Sequence, residues 1–196
     1  MSISPPPGVT HEGNLIEVHN GGAEDWLQFS EVRPYTNAFI RQEGKILLGY
    51  KKRGFGKDLY NGFGGKLDPG ETSLQAAERE LQEEAGIQAK LRECGTLFFV
   101  DEKIAWAFHI HVFTAETFTG EVTETEEMRP QWFATQPAEE TTDPEIAKLP
   151  QIPYSQMWAD DVYWMPLLLS KTKFVARMDF ASDGTLRKWW AAKEVQ

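Results

Sequence analysis

The sequence predicts an α/β fold in which helices pack on a mixed β-sheet. Hydrophobic residues make up 41% of the 196 residues and aromatic residues 12%, which is enough for a packed core. Strand and helix patterns alternate along the chain, and this order predicts one layered arrangement of both. The predicted strands are 35–41, 45–50, 91–100, 104–114 and 173–180, and the predicted helices are 72–85, 161–170 and a short one at 189–190.

The helix over residues 72–85 has the clearest pattern. Thr72 or Ser73 is suited to cap its first turn, and Gly86 is suited to end it. Leu74, Ala77, Leu81 and Ala85 share one side of this helix and are the predicted buried stripe. In the second predicted helix, Pro166 is tolerated only near the first turns, because proline lacks the backbone N–H that a helix interior uses.

The chain divides into an extension, residues 1–33, and a domain, residues 34–196. The extension contains prolines, a Gly21-Gly22 pair and little periodicity, so regular structure is expected to begin near Tyr35. Its apolar side chains Trp26, Leu27 and Phe29 are expected to dock on the rest of the protein.

The net charge of −10 excludes one class of partner. A protein that clamps a DNA or RNA backbone needs a basic surface, so we expect no nucleic-acid polymer as a partner. No apolar stretch approaches the roughly 20 residues that span a bilayer, so no membrane partner is expected. Residues 1–32 contain no Lys or Arg, which is unlike a secretory or mitochondrial signal, and Cys94 is a lone cysteine. We therefore expect a monomer in the cytoplasm, and also in the nucleus.

Three carboxylates lie on one side of the helix 72–85. With Glu80 placed at 0°, Glu84 falls at about 40° and Glu83 at about −60° on a wheel of 100° per residue. Such like charges repel, and hard cations such as Mg²⁺ bind carboxylate oxygens. On the helix alone, a solvated acidic face is the commoner meaning of this pattern.

The residues before the helix favour a metal site instead. The spaced positions are Gly65, Glu71, Arg79-Glu80-Leu81, Glu83-Glu84 and Gly86-Ile87. All of them match the 23-residue signature of the Nudix hydrolases, which the chain resembles over this loop and helix. The resemblance implies an α/β/α sandwich around a mixed sheet, and hydrolysis of a nucleoside diphosphate linked to a further group.

The resemblance also implies roles for these residues. Glu80, Glu83 and Glu84 are expected to be catalytic and to bind Mg²⁺, for which Mn²⁺ could substitute. The Gly64 carbonyl and Glu127 are expected to complete the metal site. Glu71 and Arg79 are expected to form a structural ion pair between the loop and the helix.

A longer resemblance, over residues 35–180, indicates a substrate class. The segments 47–56, 61–66, 127–133 and 158–169 resemble the eukaryotic branch of this family that hydrolyses oxidised purine nucleoside triphosphates such as 8-oxo-dGTP. This implies a small nucleotide as substrate. The substrate-binding residues implied by position are Lys51, Phe55, Asn61, Phe99, Met128, Trp158, Asp160 and Asp161.

Asp160 and Asp161 suit recognition of a base edge. Two adjacent carboxyls in a partly dry pocket do not both ionise easily, so one pKa should rise and the pair would offer a donor and an acceptor. The alternative is that they cap the helix that follows.

The sequence departs from this branch at Tyr60, Asn37 and Ala38, and these three positions bear on which base the protein prefers.

The leading hypothesis is a Mg²⁺-dependent pyrophosphohydrolase that removes oxidised purine triphosphates from the nucleotide pool. The alternatives are a Nudix hydrolase for ADP-ribose, dinucleoside polyphosphates or methylated purine triphosphates, and a nucleotide-binding module without catalysis.

Overall fold

The computed structural model describes residues 4–195, and it confirms the α/β class with a mixed sheet. Residues 1–3 and 196, which belong to the predicted extension and domain, lie outside the described residues. The chain forms two compact units. The extension unit comprises residues 4–35, 94–112 and 159–195, and the loop–helix unit comprises residues 36–93 and 113–158. The division into an extension over 1–33 and a domain over 34–196 stays a prediction.

The elements follow one another along the described chain. The strands are β1 (Asn14–Gly21), β2 (Val32–Gln42), β3 (Lys45–Lys51), β4 (Tyr60–Asn61), β5 (Ile87–Gln88), β6 (Arg92–Asp101), β7 (Ala107–Ala115), β8 (Thr119–Gly120), β9 (Met128–Ala134), β10 (Phe174–Phe180) and β11 (Leu186–Val195). The helices are α1 (Ser73–Ala85) and α2 (Asp161–Leu169), with short 3-10 turns at Ala138–Glu140, Ile146–Lys148 and Tyr154–Gln156.

In the extension unit, β11 lies between two antiparallel neighbours, β1 and β10. Strand β10 in turn pairs in parallel with β6, so the sheet is mixed. The expectation that regular structure begins near Tyr35 is wrong, because β1 starts at Asn14 and is paired along its length with β11.

The predicted short helix at Trp189 and Trp190 is also wrong, because both residues lie in β11. Aromatic residues favour strands, and pairing on both sides of β11 decides the conformation here. Trp190 is buried, while the ring of Trp189 stacks on Tyr163 with centroids 5.0 Å apart. Pro166 is the sixth of nine residues in α2, which begins at Asp161 as predicted.

The extension is fastened by a buried ion pair on β10. Arg177 and Asp179 are both fully buried, and the guanidinium donates to the carboxylate at 2.8 and 3.0 Å. Arg177 also donates to the carbonyls of Pro7 and Leu27, and Asp179 accepts from the Leu27 N–H at 2.6 Å. The Trp26 ring lies 4.7 Å from the guanidinium. The expected docking of the extension's apolar residues is therefore confirmed within this unit.

In the loop–helix unit, β3 is the central strand, and it pairs antiparallel with β2, β4 and β9. Buried side chains of α1, including Ala77, Leu81 and Ala85, share one hydrophobic core with those of the strands, such as Leu47 and Phe113. This packing fixes which side of α1 faces away from the core.

Within residues 4–195, no helix is both long enough and apolar enough to cross a membrane.

We expect Asp179→Asn to destabilise the protein by about 3–5 kcal/mol, because it leaves the Arg177 charge buried without its counter-ion. Urea unfolding measures this loss. The double variant Arg177→Met/Asp179→Leu removes both charges and should cost less than Asp179→Asn alone. Equal or greater loss in the double variant would contradict this account.

Candidate active site

The glycine-rich loop before α1 is held against β2 by backbone hydrogen bonds. The Thr36 N–H donates to the Gly65 carbonyl at 2.8 Å, and Ala38 and Phe63 exchange two bonds of 2.6 and 2.9 Å. A side chain on Gly64 would overlap the backbone of Thr36, so only glycine permits this approach. The loop backbone is therefore fixed where it faces the acidic helix.

Helix α1 begins and ends as the sequence predicts. Thr72 accepts from the Gln75 N–H and Gln75 accepts from the Thr72 N–H, which forms a capping box. Gly86 ends the helix in the left-handed region with φ of 73°. These two caps fix the residues at which the helix begins and ends.

Glu84 lies at the centre of the candidate site and is only 3% exposed. Its Oε2 accepts from the Gly64 N–H at 2.8 Å, and its Oε1 accepts from Lys51 Nζ at 3.2 Å. Burial raises the pKa of Glu84 to about 7, although Lys51 and the Gly64 N–H act in the opposite direction. The protein thus keeps, beside the loop backbone, a buried carboxylate whose desolvation is unfavourable.

Lys51 connects Glu84 with a carboxylate outside α1. Its Nζ also donates to Glu127 at 3.1 Å, and Arg53 donates to the other oxygen of Glu127 at 3.0 Å. Partial burial acts to raise the pKa of Glu127, but the hydrogen bonds from Arg53 and Lys51 outweigh it and lower that pKa. The structure therefore brings Glu127 to the carboxylates of α1, as the family resemblance implies.

Arg79 links the loop to the helix. It makes two bonds to Glu71, at 2.8 and 3.0 Å, and further bonds to Glu80 at 2.9 Å and Glu83 at 3.3 Å. It also donates to the Lys66 carbonyl at 3.2 Å. The Arg79 hydrogen bonds hold the pKa of Glu71 down at about 2. The predicted contact between Glu71 and Arg79 is confirmed.

The network contains more negative than positive groups. The carboxylates that are hydrogen-bonded to its three cations, Lys51, Arg53 and Arg79, are Glu71, Glu80, Glu83, Glu84 and Glu127. Five against three leaves a formal excess of two negative charges when all are ionised. Burial also raises the pKa of Glu80, which shows that its ionised form is poorly solvated.

This donor set fits a hard divalent cation. Carboxylate oxygens and a backbone carbonyl are the ligands that such ions prefer, and a cation would neutralise the excess charge. Among residues 4–195, however, no three His, Cys, Asp or Glu side chains converge closely enough to hold a metal. Binding would therefore require the carboxylates to shift from Lys51 and Arg79 towards the ion.

On the same unit, two aromatic rings meet at the glycine-punctuated loop after β3. Phe55 is 51% exposed, and its ring lies 5.1 Å from that of Trp158 with an angle of 32° between the planes. Gly54 and Gly56, with φ near 77° and 79°, allow the tight path of this loop. The structure thus brings together two of the predicted substrate-binding residues.

Two further predicted substrate residues of this unit differ in exposure. Asn61 is partly exposed on β4, and its Oδ1 accepts from the Asn37 amide and the Gly62 N–H, both at 2.8 Å. Met128 is buried in the hydrophobic core with Phe63 and Leu47. Their roles in substrate binding stay predictions.

The remaining predicted substrate residues, Phe99, Asp160 and Asp161, belong to the extension unit. Phe99 is buried and stacks on Phe180 with centroids 4.7 Å apart. Asp160 and Asp161 are both buried at the start of α2, and the side chain of Asp160, the N-cap residue, forms no cap hydrogen bond.

Asp160 shows the raised pKa expected for one of the pair. Its Oδ2 accepts from the Trp164 indole N–H at 3.1 Å, while its Oδ1 has no hydrogen-bond partner among the described residues. Burial raises the pKa of Asp160 to about 6.

Arg53 is a site residue that the sequence reasoning missed. It lies in the basic loop after β3, and only the fold shows that it pairs with Glu127, 74 positions away. The available signal was the presence of two basic residues directly after Lys51, without any indication of which one turns towards the acidic residues.

The mixed sheet, the glycine loop and the acidic helix define a hydrolase whose carboxylates suit a divalent cation. A family model described as the NUDIX domain matches residues 31–152, and the chain belongs to the Nudix family. Nudix hydrolases generally use divalent metal ions. This protein is therefore a Nudix hydrolase.

Relatives and solved structures agree with this assignment. The chain is 42% identical over 146 residues to the oxidized purine nucleoside triphosphate hydrolase of Danio rerio, covering 74% of this chain and 85% of that protein. It is 41% identical over 158 residues to the mouse protein of the same name, covering 80% and 92%. Its fold is similar to that of the MutT protein from Bacillus halodurans, with a TM-score of 0.63, 25% identity, and coverage of 81% and 97%.

We expect Asp160→Asn to change how stability depends on pH. In the folded wild type the Asp160 pKa is about 6, against an ordinary value of 3.8. The folded state therefore holds a proton between these values that the unfolded chain has lost, and stability falls as pH rises from about 4 to 6. The amide introduced by Asp160→Asn does not titrate in this range. The free energy of unfolding of the variant should therefore exceed that of wild type by roughly 1–3 kcal/mol at pH 7, with no such gain below about pH 4.

Urea unfolding of both proteins at pH 4, 5, 6 and 7 gives this difference directly. A constant difference across the four pH values would contradict the raised pKa of Asp160.

Proposed function

We propose that the protein is a Mg²⁺-dependent pyrophosphohydrolase that converts oxidised purine nucleoside triphosphates, such as 8-oxo-dGTP, to the monophosphate and pyrophosphate. The observation that carries the reaction type is Glu84, buried against the Gly64 N–H within an excess of carboxylates. The substrate class is supported by 41–42% identity to two oxidized purine nucleoside triphosphate hydrolases.

In this reaction water forms a new bond to phosphorus, and the P–O bond to the pyrophosphate leaving group breaks. A divalent cation supplies neutralisation of the phosphate oxygens and activation of the water. Glu80, Glu84, Glu127 and the Gly64 carbonyl would hold that cation. Glu83, whose side chain is 59% exposed, would be a further ligand or would accept the proton of the attacking water.

The basic side chains have a second use in this scheme. Lys51 and Arg53 each donate to Glu127, so both are already close to the carboxylates. In the substrate complex, the two side chains would donate to the phosphates in place of Glu127. Lys51 is the predicted substrate-binding residue of this pair.

We assign the purine to the aromatic and amide side chains. Phe55 and Trp158 offer faces for stacking, which is typical of binding sites for planar bases. Asn61 would bond to the base edge and Met128 would form a wall of the pocket. The roles that the resemblance implies for Phe99, Asp160 and Asp161 of the extension unit stay part of the proposal. A carboxyl with a pKa near 6, such as Asp160, can donate or accept near neutral pH.

The cellular role that follows is removal of damaged precursors before they enter DNA. We place the protein as a monomer in the cytoplasm and nucleus, acting on free nucleotides and not on nucleic-acid polymers or membranes. The net charge of −10 supports the exclusion of polymers, because a backbone clamp needs a basic surface.

We expect kcat/KM for 8-oxo-dGTP to exceed that for dGTP by at least about tenfold, since a base-reading site with buried polar groups discriminates by hydrogen bonds. A panel with 8-oxo-dGTP, dGTP, 2-hydroxy-dATP, ADP-ribose, a dinucleoside polyphosphate and a methylated purine triphosphate measures this preference. An equal or lower value for 8-oxo-dGTP than for dGTP would contradict the substrate assignment.

Glu84→Gln should lower the Mg²⁺-dependent kcat by about 100-fold or more, because it removes a charged ligand of the cation that would neutralise the developing negative charge on the phosphates. Glu78→Gln is the matched control, since Glu78 is an exposed carboxylate on the same helix and lies outside the network. Pyrophosphate release with and without Mg²⁺ is the measurement. A wild type that releases none would favour a binding module, and equal loss in both variants would contradict the role of Glu84.

A further inference from the structure

Two amide side chains meet between β2 and β4 in the loop–helix unit. Asn37 is only 7% exposed, and its Nδ2 donates to Asn61 Oδ1 at 2.8 Å. Asn61 is partly exposed. The proposed function gives a substrate contact to Asn61 alone, and Asn37 is one of the positions where the chain departs from the branch it resembles.

The backbone decides how both amides are oriented. The Gly62 N–H donates to the Asn61 side chain at 2.8 Å, and a backbone N–H can only donate, so the atom it meets is the oxygen of Asn61. The same oxygen faces Asn37, so Asn37 must present its NH₂ group. The Asn61 oxygen therefore points inward and accepts hydrogen bonds from two donors. Its own NH₂ group donates to none of residues 4–195 in the structure.

This arrangement is costly for the fold. Asn37 Oδ1 is buried, has no hydrogen-bond partner among the described residues, and lies directly against Gly62. An unpaired buried acceptor destabilises a protein, and an apolar side chain with the same branching, such as leucine, would avoid this penalty. The Gly62 N–H would still satisfy the Asn61 oxygen without Asn37. Stability of the fold therefore does not account for Asn37.

We propose that Asn37 is a positioning residue that fixes the Asn61 amide with its NH₂ group outward, so that the nucleotide site presents a donor. The inference rests on the proposed function, in which Asn61 contacts the purine. It adds that the base edge at this point must carry an acceptor, a carbonyl oxygen or an unprotonated ring nitrogen. With Asn37 replaced, one anchoring bond remains and the Asn61 amide can rotate away.

The test is a double-mutant cycle with Asn37→Leu, Asn61→Ala and the combined variant. The measurements are KM and kcat for 8-oxo-dGTP, and Kd for 8-oxo-dGMP and dGMP by calorimetry. We expect Asn37→Leu to raise KM and Kd by about three- to tenfold, which is the worth of one neutral hydrogen bond, with kcat changed less than about twofold. In the Asn61→Ala background, Asn37→Leu should have no further effect.

Three controls separate positioning from a merely structural role. The melting temperature of Asn37→Leu should equal or exceed that of wild type, because the unpaired acceptor is removed. Asn37→Asp keeps the shape but loses the donor, so it should raise Kd as Asn37→Leu does. Thr114→Val replaces another buried side chain whose oxygen is unpaired among the described residues, and should leave KM and Kd unchanged.

Unchanged KM and Kd in Asn37→Leu would overturn the inference, and so would effects of Asn37→Leu and Asn61→Ala that simply add. Failure of the proposed function has a different signature, since it shows in wild type alone as a lack of preference for 8-oxo-dGTP. In that case the Kd values for dGMP, measured across the double-mutant cycle, still decide whether Asn37 acts through Asn61.

Discussion

Repulsion among carboxylates on one helix is the constraint on which the candidate site depends. Glu80, Glu83 and Glu84 occupy adjacent positions on α1, and Glu84 is buried. Each surrounding feature reduces the resulting penalty: the Gly64 N–H, the Lys51 ammonium and the Arg79 guanidinium all donate to these groups. The net excess that remains is what the proposed cation would neutralise, so the local instability and the proposed chemistry would have the same origin.

The sequence predicts this part of the protein well because its contacts are local. Gly64, Glu71 and Arg79 lie within one loop and the helix that follows, and the spacing of a helix determines which side chains share a face. The cap at Thr72, the stop at Gly86 and the contact between Glu71 and Arg79 all follow from such short-range rules. Leu74 is the exception, since its place in the predicted buried stripe is wrong and it is 39% exposed.

What the sequence does not predict depends on distant pairing. Strand β1 carries only a short alternation, over residues 16–19, and its backbone hydrogen bonds are supplied by β11. Trp189 and Trp190 precede helix-forming residues, yet strand partners on both sides decide their conformation. Arg53 and Asn37 belong to this group as well, because each gains its role from a residue 24 or more positions away.

The pairing of β1 with β11 also bears on how relatives of this protein can differ. Asn14 lies opposite Val195, so strands near the two ends of the chain are neighbours, and both lie outside the region matched by the family model. Strand β11 has a second partner in β10, whereas β1 depends on β11. A relative could therefore lose the N-terminal strand and keep the C-terminal one, but loss of the C-terminal strand would remove both. Strands β1 and β11 are thus constrained unequally.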